Sequence, residues 1–166
     1  SGAELDTKPD AFAIGVELVR LLRQRRINQV YDDCLKKGTA EAYYHFIDVY
    51  SGTTEAEQME ERLARLAPGM FEGLTSAEQV DAIATRYPLS PSVQRAAEKQ
   101  KSRMAYAAAS KRNDVAGYME FLERYPSSDE SQQARDRLDN LLEVTYAKCK
   151  TAMDYALFAN TYSDIS

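Results

Sequence analysis

The sequence predicts an all-α chain, a right-handed α-solenoid of about four stacked helical hairpins. Three observations predict it. Tyr50, Tyr87, Tyr125 and Tyr162 recur at intervals of 37, 38 and 37 residues. Apolar residues precede each tyrosine by four (Phe46, Ile83, Phe121, Phe158) and by seven (Tyr43, Val80, Tyr118, Tyr155), which is the spacing of one helix face. A residue of helix N-cap type stands eleven positions before each tyrosine, at Thr39, Ser76, Asp114 and Thr151. Composition agrees. Seven Gly and five Pro in 166 residues are too few for a many-turned β sandwich, and 44% hydrophobic content excludes wholesale disorder.

The elements follow in order. Residues 1–9 read as a tag remnant and N-terminal extension, because the chain opens Ser1-Gly2 rather than with Met. A long helix is expected over about 10–37, closed by Lys36-Lys37, whose charges oppose the helix dipole. A short helix capped by Thr39 then ends at Tyr50. A new cap follows three residues after each of the first three repeat tyrosines, at Thr53, Ser90 and Ser128. These caps open long helices over about 54–67, 91–112 and 129–150. Pro91 suits a first helical position, where the missing N–H has no intrahelical partner to lose. Pro68-Gly69 must interrupt the second long helix, so a short helical piece near Met70 to Leu74 is expected to bridge the gap. The second short helix begins at Ser76, which has capping-box spacing to Gln79. Tyr87-Pro88 and Tyr125-Pro126 end the second and third short helices, since proline disfavours α geometry in the residue before it.

The long helices repeat too. Segment 30–50 aligns with 105–125 at an offset of 75, pairing Tyr31 with Tyr106, Cys34 with Ala109 and Tyr43 with Tyr118. Tyr146 and Cys149 take the same roles in the last unit. Ten of the eleven tyrosines thus occupy recurring positions, and Tyr44 is the exception. The expected organisation is one helical-repeat domain over 10–166, with units of about 10–50, 51–87, 88–125 and 126–162. The chain stops where another long helix is due, so a longer native protein is expected. No stretch reaches the roughly 20 apolar residues of a membrane helix. No secretory signal is visible, although the opening leaves room for a leader or lipid anchor upstream.

The run Tyr118-Met-Glu-Phe121-Leu122-Glu-Arg-Tyr125-Pro126-Ser-Ser128, followed by Ala134 and Leu138, resembles bacterial tetratricopeptide-like repeats. The variety is written roughly Y-x-x-F-L-x-x-Y-P-x-S with a later A-x-x-x-L. The resemblance covers about residues 30–166. It implies helical hairpins of the kind found in envelope proteins such as the barrel-assembly lipoprotein and the Tol-Pal accessory protein, and also beside catalytic domains in signalling proteins. The period here is longer than the usual ~34 residues, and the usual Trp and Leu-Gly pair are missing. The resemblance therefore does not imply the family's peptide-end recognition.

The single histidine, His45, is replaced by Ala82, Glu120 and Leu157 in the other copies and has no nucleophile at a suggestive spacing, so it reads as a surface residue. No His, Cys and carboxylate set has metal-ligand spacing, and no cofactor motif is present. Cys34 and Cys149 read as small residues in helix contacts rather than a disulfide. Glu55, Glu57, Glu60 and Glu61 complement a helix N-terminus. Arg20, Arg23 and Arg26, with Arg25 nearby, form a basic cluster on the first helix. The plain reading is a solvated face; the functional one is docking of an acidic partner, a phosphate-bearing ligand or nucleic acid. Twelve residues after the first three repeat tyrosines stand Arg62, Lys99 and Arg137, each preceded by an acid. They read either as a salt-bridge ladder or as a basic row gripping a carboxylate-rich peptide.

The function expected is a non-enzymatic protein–protein interaction scaffold in a bacterial envelope, periplasmic or outer-membrane-associated. The alternative is a regulatory module of a larger cytoplasmic signalling protein. A nucleic-acid adaptor ranks lower because the net charge is −5, and an enzyme ranks lower because the repeat accounts for most of the polar residues.

Overall fold

The structure, a computed structural model, describes residues 10–163. The proposed tag remnant and extension at 1–9 lie outside the described residues. All regular structure among those described is helical: α1 (Ala11–Lys37), α2 (Ala40–Val49), α3 (Thr54–Leu66), a 3-10 turn (Ala67–Phe71), α4 (Ala77–Ala84), α5 (Pro91–Arg112), α6 (Val115–Arg124), α7 (Ser131–Ala147) and α8 (Ala152–Tyr162). The chain divides into two compact units. One comprises residues up to Met70 with Tyr87–Val93, and the other Phe71–Arg86 with the residues from Gln94 onward.

The helix starts are set by short polar side chains that satisfy free N–H groups. Asp10, Thr39, Thr53, Ser76, Asp114 and Thr151 each accept a hydrogen bond from the first turn of the helix that follows. Ser76 and Gln79 form the expected reciprocal capping box, and Thr151 forms a second with Asp154. The helix ends carry a parallel that residue type alone conceals. Gly38 closes α1 with φ 64°, its N–H donating to the Cys34 carbonyl at 3.0 Å. Asn113, at the same offset of 75, follows α5 with φ 49° and donates to the Ala109 carbonyl at 2.8 Å. Both take the left-handed conformation that Gly adopts freely and Asn tolerates.

Three elements differ from expectation. The bridge after α3 lies at Ala67–Phe71, earlier than 70–74, because the 3-10 turn begins before Pro68. Helix α4 stops at Ala84 rather than reaching Tyr87. The Thr85 hydroxyl donates to the Asp81 carbonyl at 2.9 Å, and Pro88 disfavours helix at Tyr87. Helix α7 starts at Ser131, not 129, and its N-cap Glu130 makes no side-chain cap bond. The expected cap Ser128 is engaged elsewhere. Its hydroxyl meets that of Ser131 at 3.1 Å, and the Ser131 hydroxyl donates to the Tyr125 carbonyl at 2.8 Å.

The core is aromatic at recurring positions. In the first unit Phe46 is fully buried, with ring centroids 5.9 Å from Tyr31 and 4.7 Å from Tyr50. In the second unit Phe121 lies 5.5 Å from Tyr106 and 5.7 Å from Tyr125, and Phe158 lies 5.5 Å from Tyr146 and 4.9 Å from Tyr162. The same three-ring cluster is thus built three times. α3 packs on α2 through Ala56, Met59 and Leu63, and α7 packs on α6 through Ala134 and Leu138. The second sequence copy departs: Ile83 replaces the Phe, and Tyr87 lies beyond its helix. Tyr87 packs edge-on against Tyr44 at 5.1 Å, and its hydroxyl donates to Glu41 at 3.2 Å. Tyr44, the tyrosine outside the repeat pattern, is therefore the partner of the irregular copy.

Candidate interaction surface

The basic cluster of α1 is exposed throughout. Arg20 donates to Glu17 from Nε at 2.9 Å and Nη2 at 2.7 Å. That carboxylate raises the Arg20 pKa, while the guanidinium holds Glu17 below the ordinary carboxyl value. Arg23, Arg25 and Arg26 make no side-chain hydrogen bond or ion pair among the described residues, so the cluster carries free positive charge. Screening by solvent makes the Arg20–Glu17 pair worth little to stability.

The three cations twelve residues after the repeat tyrosines have different surroundings. Arg62 is half-buried on α3 and Arg137 is exposed on α7, neither with an ion pair among the described residues. Lys99 is engaged: its Nζ lies 2.6 Å from Asp129, whose carboxyl is held low chiefly by that hydrogen bond. Its charge is therefore partly spent on the turn before α7. None of the three pairs with the acid preceding it in sequence, because neighbouring side chains on a helix point apart.

Two open grooves flank Tyr125 in the second unit. One, of about 480 Å³, is lined by Arg95, Lys99, Tyr125, Pro126, Ser127 and Asp129 among others. The other, of about 530 Å³, has a floor of small residues, Ala105 and Ala108, between Lys101 and Arg124. Lys101 pairs with Glu98 at 2.6 Å and Asp81 at 2.9 Å, and the hydrogen bonds its ammonium donates to these two carboxylates raise its pKa. The Arg124 guanidinium lies 5.4 Å from the Tyr125 ring centroid, in cation–π range. Lys101 and Arg124 are not marked by any spacing in the sequence, because their groove is assembled from α4, α5 and α6 together. The one available signal was the small-residue run Ala107-Ala108-Ala109.

A further polar cluster is buried. Glu60 on α3 accepts from the Ser90 hydroxyl at 2.8 Å, the Ser92 hydroxyl at 2.7 Å and the Ser92 backbone N–H at 2.9 Å. Ser90 and Ser92 are both buried. The carboxylate thus caps the start of α5 from another helix, and of the four clustered acids only Glu60 does this. Glu55 instead accepts from Gln24 at 2.7 Å.

His45 is exposed on α2. Cys34 is buried beneath the Ala42 carbonyl, and its thiol is pushed up in pKa by burial; both cysteines are free. Among the described residues no group of three or more His, Cys, Asp or Glu is placed to hold a metal ion, and no helix is long and apolar enough to cross a membrane. What these surfaces offer chemically is charge and grooves for recognition. Comparison with protein-family models, curated proteins and solved structures finds no match to this chain.

Proposed function

We propose that this chain is a non-enzymatic protein–protein interaction scaffold, a solenoid of tetratricopeptide-like hairpins serving in a bacterial envelope. The observation that carries the reading is the three-ring cluster built three times from the same repeat positions. A hairpin that spends its aromatics on a shared seam is an architectural unit, and stacked hairpins present extended surfaces to partners. Polar groups that might have served chemistry are likewise spent on structure: Glu60, Ser90 and Ser92 on a helix start, Thr151 and Asp154 on a capping box. The free cations Arg23, Arg26, Arg62 and Arg137 then favour a protein or peptide partner rich in carboxylates. The envelope placement follows the resemblance of the Tyr118–Leu138 run.

The test is capture of partners on immobilised chain from separate envelope and soluble extracts, followed by affinity measurement with the purified partner. A saturable envelope partner whose binding weakens at least tenfold after Arg23→Glu/Arg26→Glu or Arg62→Glu/Arg137→Glu supports the reading. Affinity unchanged by both charge reversals sinks the basic-surface assignment. Saturable binding only to nucleic acid, steeply weakened by salt, sinks the scaffold reading.

A further inference from the structure

The open groove beside Lys101 and Arg124 differs from the other concave surfaces described in the second unit by the sign of its lining. Lys101 and Arg124 border it, and no acid does. The neighbouring groove balances Arg95 and Lys99 against Glu98 and Asp129. A smaller one at α7 and α8 sets Lys148 against Asp154. In a chain with 26 acidic and 21 basic residues, a groove bordered by cations alone reverses the net charge locally. Clefts lined by one sign of charge attract ligands of the other.

The two cations contribute unequally. Lys101 has 16% of its side chain exposed and is held by Asp81 at 2.9 Å and Glu98 at 2.6 Å, so its charge is spent within the protein. Arg124 is exposed and makes no ion pair among the described residues. Its guanidinium lies 5.4 Å from the Tyr125 ring centroid. Stacking on an aromatic face leaves the N–H edge of a guanidinium free to donate, and that edge matches a carboxylate. The opposite wall is the start of α4, at Thr75, Ser76 and Ala77, where partial positive charge gathers. Between the walls lie Ala105 and Ala108, three positions apart on one face of α5, with Met104 beside them. Side chains of one carbon let a main chain come close. The volume of about 530 Å³ falls within the ~300–1,000 Å³ of ordinary ligand pockets, enough for a short run of peptide.

We propose that this groove binds a short extended segment of a partner protein in which small residues alternate with carboxylates, its main chain on Ala105 and Ala108 and one carboxylate on the free edge of Arg124. A lone inorganic anion would engage Arg124 and leave the apolar floor unused, whereas a peptide uses both. The proposal rests on the interaction-scaffold reading and gives it a site apart from Arg23, Arg26, Arg62 and Arg137.

Fluorescence anisotropy tests it with a labelled decapeptide of alternating Ala and Glu, its C-terminus amidated so that only side chains carry charge. The alternating Ala and Gln peptide is the reference. Arg124→Glu reverses the free cation, and Ala108→Phe fills the floor. Both positions are exposed, so circular dichroism of each variant should match the parent; if Ala108→Phe loses helix, Ala108→Leu replaces it. The expected result is saturable binding of the Glu peptide at least tenfold tighter than the Gln peptide, weakened at least tenfold by either substitution. Arg62→Glu/Arg137→Glu should leave it within threefold of the parent. A parent that binds the two peptides alike overturns the proposal. So does Glu-peptide binding that survives either groove substitution, or that Arg62→Glu/Arg137→Glu weakens as strongly as Arg124→Glu does, because the peptide then lies elsewhere. Loss of this site leaves partner capture to decide the scaffold reading, and failed capture leaves the peptide preference of the groove to be read by itself.

Discussion

Replacing Glu60 with alanine removes the carboxylate that organises the start of α5. Three donors lose their acceptor: the Ser90 hydroxyl at 2.8 Å, the Ser92 hydroxyl at 2.7 Å and the Ser92 N–H at 2.9 Å. A hydrogen bond to a charged group contributes about 1.5–3 kcal/mol, but bonds sharing one acceptor group do not add. Part of the network survives. The Ser90 hydroxyl still meets Ser92 at 3.1 Å and accepts from the Val93 N–H at 3.3 Å. The net loss is one charged acceptor serving buried donors, so Glu60→Ala should cost about 2–3 kcal/mol. Glu60→Gln keeps one oxygen of the right shape and should cost about 1 kcal/mol. Its exposed neighbour is the control, with Glu61→Ala expected within about 0.5 kcal/mol of the parent. The assay is urea unfolding followed by circular dichroism, with unchanged denaturant slopes confirming that only stability moved. A Glu60→Ala midpoint indistinguishable from that of Glu61→Ala would refute the reasoning.

Other expectations follow from the caps. Asp154 accepts from the N–H groups of Lys150 at 2.9 Å and Thr151 at 2.8 Å, which holds its carboxyl below the ordinary 3.8. A lowered carboxyl contributes stability above its ordinary value and loses it as pH falls through the folded one. The amide resonances of Lys150 and Thr151 should therefore titrate below 3.8 and cease to do so in Asp154→Asn; amides that titrate alike in both proteins contradict the assignment. Glycine replacement should discriminate two helices. Gly15→Ala meets nothing within 4 Å and should raise the helicity of α1, with a gain of about 0.5–1 kcal/mol per helical Gly. A Cβ on Gly117 would lie 2.9 Å from Asp114 Oδ1, the atom accepting the Gly117 N–H at 2.6 Å. Gly117→Ala should bring no such gain, and a Gly117→Ala chain more stable than the parent by about 1 kcal/mol would show that the cap yields freely.

How much was legible in the sequence varies with the range of the interaction. Helix starts depend on one side chain and the next three N–H groups, so Thr39, Thr53, Ser76, Asp114 and Thr151 were readable as caps. Ser128 was not, because Ser131 and the Tyr125 carbonyl compete for its turn. The aromatic spacing was readable because helical periodicity alone places Phe121 beside Tyr125. That Tyr87 leaves its helix and meets Tyr44 was hidden, since the contact depends on α4 ending at Ala84 and on a partner 43 positions away. The cations were readable as residues but not as charges. Lys99 is claimed by Asp129, and Arg20 by Glu17, whereas Arg23, Arg62 and Arg137 keep theirs. The groove between Lys101 and Arg124 joins residues from three helices, and no single spacing encodes it.

The central claim is that the recurring tyrosines and phenylalanines are architectural, forming a seam that the next long helix seals. Truncating the same repeat position in three copies tests it most directly. Phe46 and Phe121 are buried under α3 and α7, whereas Phe158 on α8 keeps part of its ring in solvent. Equilibrium unfolding at low protein concentration should show that Phe46→Ala and Phe121→Ala each cost about 3–5 kcal/mol, the usual range for a buried Phe. Phe158→Ala should cost less than half as much. Equal costs at all three positions, or near-neutral changes at Phe46 and Phe121, would contradict the account.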